Sequence, residues 1–399
     1  DDINKQFSNL DGDPSYYLNI SDANRSSIYD NFLVRISSNG YSTNQMQLSE
    51  VVVIGNGNTN VLFDKASLVG SGIGFTSLLE DEFGSFAIVD DGASTFLRFI
   101  PNNPYDIDYD LKILSSKFNS TISGFGSVSL GAVDLNTYVG TFTPGLTDDI
   151  ISVGISSFNS LILTGQVIDD VTKQMNFVES YITIENGNTY VSEYYVDSLE
   201  GESDQIGRFI PSVSSDSLTI QYENNTSNSV SINSRIVGFG TTGAGNGEHR
   251  FKTDTQTDGS ERSVVYQGIT TAGVGTTTIV SVDKNLFDSF KSLVEVSIGS
   301  SKAIHELRGV QKDSDLYLQQ SQYLSIGNDD QQSGRSVLST GLGTFGLSYE
   351  ASNFILTFYP DDLIGVSTVT SFNQLLYTTV DTDNTYDPYT YGKISDKVD

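Results

Sequence analysis

Apolar and polar side chains alternate with a period of two along most of the chain. Phe32, Val34 and Ile36 are interleaved with Leu33 and Arg35, and Val294, Val296 and Ile298 with Glu295 and Ser297. That period sends successive side chains to opposite faces of a pleated strand. Val, Ile, Thr, Tyr and Phe fill these runs, as a half-buried sheet prefers. Ser, Thr, Asn, Asp and Gly fill the gaps, as turns require. Only the segments 77–83 (SLLEDEF) and 286–292 have room for short helical turns, and both read equally well as loops.

The alternating runs recur in three ordered sets. Each set begins with a strand: SSIYDNFLVRIS from Ser26, SSFNSLILTGQV from Ser156 and DSFKSLVEVSIG from Asp288. A strand–turn–strand follows, opening on Glu50, Glu179 and Glu306. Next comes an aromatic strand, TFLRFIP from Thr95, SLTIQYE from Ser217 and FILTFYP from Phe354. A last alternating strand starts at Ile107, Asn228 and Ser367. Asn56 and Asn186 lie 130 positions apart, and Asn186 and Lys312 lie 126 apart. A period of that length is that of a whole domain rather than of a solenoid unit.

The pattern predicts an all-β chain of tandem antiparallel β-sandwich, immunoglobulin-like domains, strung as beads on Gly/Ser/Thr-rich joins. The boundaries expected are 1–15 for the end of a preceding segment, 16–122 for the first repeat, 123–148 for a linker and 149–240 for the second repeat. Then come 241–275 as a linker or inserted hairpin, 276–380 as the third repeat and 381–399 as an acidic C-terminal segment. Asn56-Gly57 and Asn186-Gly187 suit two-residue type I′ hairpins, and the third copy, with Lys312 to Asp315 and no glycine, suits a longer turn. Ile182, Ile184, Tyr190, Leu218, Ile220 and Tyr222 are the expected core of the middle copy, with Thr183 and Ser192 turned outward.

Composition narrows the chemistry. The 399 residues carry 50 acidic and 21 basic side chains, for a formal net charge of −29. That charge disfavours nucleic acid and anionic membrane as partners. It reads as a solvating surface that also discourages association of strand edges. Cysteine is absent, which removes disulfides, thiolate metal sites and cysteine nucleophiles. No apolar run approaches the ~20 residues of a membrane-spanning helix. The chain opens on Asp1 rather than Met, and both ends read as cut from a longer polypeptide.

The ordered series of strand, Glu, apolar strand, NGNT-type turn, Tyr-rich strand, G-x-F and aromatic strand resembles a repeat of tailed-bacteriophage virion proteins. Those are large structural and fibre-like proteins, especially of contractile-tailed phages of marine bacteria. The matching positions are Glu179, Ile182, Ile184, Asn186 to Thr189, Glu193, Tyr194, Gly207, Phe209 and Leu218, with Gly343, Phe345, Leu356 and Pro360 in the third copy. The second copy departs at Glu223, where the pattern has Pro, and the third departs at its turn. The resemblance implies a structural or attachment role on a virion surface. It implies other virion proteins as partners, self-association into a homo-oligomer and contact with a host receptor or glycan. It assigns no active site.

A search for catalytic groups agrees with that role. His249 sits in a Gly-rich join without a nucleophile elbow, and His305 adjoins Glu306 on a strand, where neighbours point to opposite faces. Both read as solvated or rim histidines. Gly238, Gly240 and Gly243 have dinucleotide-loop spacing but no following helix. The oxygen-rich loops at Asp254 and Asp258, and at Asp381 and Asp383, are the candidate calcium ligands. The expectation is a non-enzymatic fibre, whisker or decoration protein of head, neck or tail. A bacterial adhesin or S-layer-type protein and a carbohydrate-acting tail enzyme are the alternatives.

Overall fold

The computed structural model describes residues 8–9, 15–20, 28–38, 46–55, 60–71, 74–76, 84–92, 94–102, 109–117, 124–155, 158–185, 187–197, 206–240, 246–253, 262–285, 287–312, 315–326, 342–361 and 365–377. These residues form strands and no helix. The first copy holds β1 (Ser8–Asn9), β2 (Tyr16–Asn19), β3 (Ile28–Ser38), β4 (Met46–Gly55), β5 (Asn60–Ser71), β6 (Gly74–Thr76), β7 (Gly84–Asp90), β8 (Thr95–Pro101) and β9 (Tyr109–Lys117). The second holds β10 (Gly124–Ser129), β11 (Val133–Phe142), β12 (Thr147–Gly154), β13 (Phe158–Asp169), β14 (Met175–Glu185), β15 (Asn188–Asp197), β16 (Gly207–Ser214), β17 (Ser217–Asn224) and β18 (Val230–Gly240). The third holds β19 (Gly247–Thr253), β20 (Arg262–Val274), β21 (Thr277–Asp283), β22 (Phe287–Ile298), β23 (Ser301–Lys312), β24 (Asp315–Ile326), β25 (Gly343–Glu350), β26 (Asn353–Pro360) and β27 (Val366–Tyr377).

Each copy divides into a large and a small antiparallel sheet, and the strand orders repeat. The large sheets run β6-β5-β4-β3-β9, β15-β14-β13-β18-β11-β10 and β24-β23-β22-β27-β20-β19. The small sheets run β1-β2-β8-β7, β12-β17-β16 and β21-β26-β25. All four recurring sequence features therefore fall on strands in corresponding sheet positions, although among the described residues β9 has a neighbour on one side only and β5 pairs with β6 as well. The stretches expected to be joins carry strands. Residues 123–148 contain β10 and β11, which lie beyond β18, and 241–275 contain β19 and β20, which lie beyond β27. Their Gly, Ser and Thr content is compatible with extended backbone, and ladder bonding fixes it there. Residues 287–292, considered for helical turns, lie in β22, and 77–83 fall outside the described residues.

The large and small sheets of a copy enclose one apolar cluster. In the second copy it unites Leu161, Leu163, Ile182 and Ile236 of the large sheet with Ile151, Phe209, Leu218, Ile220 and Tyr222 of the small one. The other copies do the same around Val294, Leu307, Phe354 and Phe358, and around Val34, Val51, Leu97 and Phe99. The outer faces of the three large sheets then meet in a further cluster that includes Leu33, Leu48, Ile162, Tyr181, Val237, Leu293, Ile304 and Phe372. The copies are thus packed against one another, not strung as separate beads.

This second burial corrects the expected exposure on β14. Ile182 and Ile184 face their own copy's interior and are buried, as are Leu218, Ile220 and Tyr222. Thr183, expected outside, is only 1% exposed, because its face of the sheet is covered by a neighbouring copy. Tyr190 on β15 is 38% exposed instead of buried. Every residue of β14 except Glu185 is buried, and the first ten of β22 are buried as well. A strand covered on both faces loses the exposure alternation of a one-sided sheet.

Two local devices shape the copies. The hairpin ladders close with Glu185 opposite Asn188 and with Lys312 opposite Asp315, leaving two residues between partners in each case. In the first copy Gly55 stands opposite Asn60, with four residues between. The third copy therefore closes on two residues although it lacks a glycine there, and residues 56–59 of the first copy fall outside the described residues. The register of the flanking strands overrides turn preference here. Gly187, at φ 76°, supplies the left-handed conformation that a two-residue turn uses.

The second device is the G-x-F element. Gly84, Gly207 and Gly343 each start the strand that pairs with the aromatic strand of their copy. A Cβ on them would lie 2.2 Å from Ile100 O, 2.3 Å from Glu223 O and 2.3 Å from Tyr359 O, respectively. Two positions on, Phe86, Phe209 and Phe345 pack their rings 5.3, 5.1 and 5.1 Å from those of Phe99, Tyr222 and Phe358. Glycine permits the close backbone approach, and the phenylalanine anchors the small sheet to its aromatic strand.

Candidate functional site

The densest polar chemistry among the described residues lies between the copies. Glu50 on β4, Glu179 on β14 and Glu306 on β23 occupy the same ladder position, opposite Leu33, Thr164 and Leu293. All three are on the faces turned away from their own copy's core, and all are buried. Two positions on, the copies differ: the residues are Val52, Tyr181 and Arg308. Arg308 lies opposite Lys291 in the β22–β23 ladder. The third copy thereby brings two cations to a place where the first brings one carboxylate.

Lys291 Nζ donates to Glu50 Oε1 at 2.5 Å and lies 3.5 Å from Glu306 Oε2. Arg308 Nη2 donates to both Glu50 and Glu306. Two carboxylates and two cations thus form a cluster that bridges the first and third copies. The side chains of Glu50 and Glu306 are fully buried, and that of Lys291 is 9% exposed. Burial alone would pull the Arg308 guanidinium down, but Glu306 and Glu50 outweigh it and hold it above the ordinary arginine value. The cluster is held out of water. Its chemistry is to fix the register of one sheet against another, because leaving any one member unpaired in the interior is costly.

The second and third copies meet through a different set. Tyr181 stacks on Tyr323 with ring centroids 4.2 Å apart and planes 5° from parallel. Burial, then the nearby carboxylates of Glu179 and Glu306, push the Tyr181 hydroxyl well above its usual value. Lys302 Nζ donates to the Ile184 carbonyl at 2.6 Å. Glu295 is buried beside Lys302 and Ser160, and its Oε2 finds no hydrogen-bond partner among the described residues. Desolvation pushes its carboxyl up to about 7, against weaker opposing effects of Lys302 and Ser160. Burial likewise lowers Lys302, with Glu295 and Glu185 opposing. The first and second copies join through apolar contacts of Val52 and Ile54 with Ile168, Met175 and Phe177. Gln166 Nε2 adds a hydrogen bond to Gly55 O at 3.0 Å.

The histidines and candidate calcium ligands lie elsewhere. His305 is wholly buried, not rim-exposed, with its ring 5.1 Å from that of Phe345 inside the third copy. It points away from Glu306, as strand alternation requires. His249 is on β19, and its side chain falls outside the described residues. Asp254, Asp258, Asp381 and Asp383 also lie outside them. Among the described residues no group of three or more His, Asp or Glu side chains is placed to hold a metal ion.

Sequence reasoning missed Lys291 and Arg308 as a pair. The signal was present: a glutamate recurs at one position in all three copies, and in the third Lys291 and Arg308 face each other two residues along the same ladder. No family model, curated protein or solved structure matches the chain.

Proposed function

We propose that this chain is a non-enzymatic structural protein of a bacteriophage virion, an exposed fibre, whisker or decoration component of head, neck or tail that serves in assembly or host attachment. Each copy acts as a two-layer β-sandwich unit of a tandem array, immunoglobulin-like in its layering but not in its strand order. The observation that carries the reading is the use made of the buried charges. Glu50, Lys291, Glu306 and Arg308 are turned inward to lock copies together, leaving a rigid body whose surface works by contact. The acidic composition supports the same reading, since an exposed body of this charge stays soluble and resists edge-to-edge association. The partners proposed are other virion proteins, further copies of the chain and a host surface receptor or glycan.

The test is localisation on purified particles. Antibodies raised against the chain should decorate intact virions in negative-stain images, and its peptides should co-purify with particles through a density gradient. Labelling of the bacterial envelope in uninfected cells, with none on particles, would favour the adhesin reading. Release of reducing sugar from host surface polysaccharide by the purified chain, abolished by a single carboxylate substitution, would overturn the non-enzymatic reading.

A further inference from the structure

One buried carboxyl between the second and third copies is placed quite differently from Glu50 and Glu306. Val294 and Val296 of β22 point into the third copy's interior. Glu295, between them, points the other way with Leu293, onto the packing shared by the copies. It is 4% exposed. Ile304 of β23 and Thr370 of β27 flank it in the ladders. From the second copy it meets Ser160 of β13, whose Oγ lies 2.8 Å from Thr183 Oγ1 of β14. Glu295 Oε2 is buried with no hydrogen-bond partner among the described residues.

The cation beside it is committed elsewhere. Lys302 stands opposite Ser297, two positions from Glu295 along β22. Its ammonium donates to the Ile184 carbonyl of the second copy at 2.6 Å. Glu185, at the end of β14, attracts the same ammonium, and its Oε1 is likewise buried without a partner among the described residues. The other charged and titratable groups on the facing strands are engaged with their own neighbours. Arg235 of β18 lies over the Phe372 ring. Tyr181 of β14, with Glu179 beside it, stacks on Tyr323 and is pushed well above its usual value, so it keeps its proton. Lys291, four positions back along β22, is bound to Glu50.

An uncharged Glu295 needs no cation, and Lys302 then ties the third copy to the second. A carboxylate in the same place does need one, because a buried anion without a partner is costly. Lys302, on the neighbouring strand of the same copy, can supply it. Turning to Glu295 takes the ammonium from the Ile184 carbonyl, and a bond between copies becomes a bond within one. We propose that the seam between the second and third copies is a pH-operated latch, closed while Glu295 holds its proton and slackened when the proton leaves. Burial keeps the proton on, carrying the carboxyl up to about 7. A carboxyl raised in the closed state favours closure at low pH, and that preference is lost as pH rises through the raised value. The first and second copies meet through Val52, Ile54, Ile168, Met175 and Phe177, which have no proton to lose.

The chain has no cysteine, so a single introduced thiol can report where it opens. Val237→Cys places one in the shared cluster, and Val167→Cys places one in the second copy's interior; both sites are buried. The full chain carrying either change is reacted with an aromatic disulfide reagent at pH 6 and pH 8.5, with and without Glu295→Gln. Dividing the rate by that of the Glu295→Gln background at the same pH cancels the chemistry of the thiol. A carboxyl at about 4.5 in the open seam and about 7 in the closed one raises the open fraction about tenfold over this interval. That rise is expected for Val237→Cys and not for Val167→Cys. The same factor should appear without Glu295→Gln, as the Val237→Cys rate divided by the Val167→Cys rate, so the test stands even if the glutamine variant fails to fold. A seam rate that does not rise would overturn the proposal. An equal rise at both sites would overturn it too, since the whole chain and not one seam would then be loosening.

Discussion

Replacing Arg308 by Met should destabilise the whole chain, not only the copy that carries it. Arg308 Nη2 is bound to Glu50 and Glu306, and Lys291 is the other cation of the cluster. Met keeps much of the side-chain volume and removes the charge. Two fully buried carboxylates then face one ammonium, 2.5 and 3.5 Å away. Breaking a buried ionic set by removing one member costs about 3–5 kcal/mol, against less than about 1 kcal/mol for an exposed pair. Adding Glu306→Gln to Arg308→Met restores a one-to-one pairing of Lys291 with Glu50 and should regain most of the loss. Because Glu50 belongs to the first copy and the cations to the third, the loss should shift one common transition.

Urea unfolding followed by far-ultraviolet circular dichroism and by tyrosine fluorescence measures this, the chain having 21 Tyr and no Trp. Coincident curves for the two probes, displaced together in the variant, are the expected result. A loss under about 1 kcal/mol would mean that the cluster is hydrated and not enclosed. A biphasic curve in which only one phase moves would mean that the copies unfold as independent beads, and would refute the packing argument.

Glu295 should make stability depend on pH. Its carboxyl is raised in the folded chain from 4.5 to about 7, so its contribution is full below about 4.5 and is lost as pH rises through 7; the interval corresponds to about 3 kcal/mol, and Glu295→Gln should remove that part of the pH dependence in urea titrations at pH 5 and 8. Gly207→Ala should cost about 1–3 kcal/mol by thermal or urea unfolding, because its Cβ would fall 2.3 Å from Glu223 O, whereas Gly145→Ala, at φ 67° with nothing within 4 Å, tests backbone strain without a clash. Ile220→Ala should cost about 2–5 kcal/mol, since Ile220 is wholly buried in the second copy's interior; a change below about 1 kcal/mol would contradict that packing.

The strands and their recurrence were legible because both leave period-two traces that do not depend on neighbours. Glu50, Glu179 and Glu306 were aligned by pattern alone and prove to be equivalent in the ladders. What was not legible is what covers the second face of each large sheet. Thr183 and Glu179 are polar by type, and a polar face ordinarily means solvent. Here those residues are buried against another copy, with Ser160 Oγ and Thr183 Oγ1 2.8 Å apart across adjacent strands. An interface that satisfies its polar groups in this way looks in sequence like a wetted surface. Tyr190 misleads in the opposite direction: its bulk suggests a core position, but β15 is the edge strand of its sheet.

The cluster also shows what covalent linkage of the copies permits. A glutamate stands at one ladder position in all three, on faces that converge on shared packing. Three identical subunits meeting in this way would bring three like charges into the interior, where each needs a partner or must take up a proton. Joined in one chain, the copies are free to differ at the neighbouring positions. The third supplies Lys291 and Arg308, which neutralise its own Glu306 and the first copy's Glu50. The second supplies Tyr181, which lies beside Glu179 and stacks on Tyr323 of the third. The first supplies Val52, which packs with the second copy's Phe177. One position thus makes three different contacts. That difference gives each copy a fixed neighbour on either side, so the order of the copies around the shared core is set by chemistry as well as by the connecting chain.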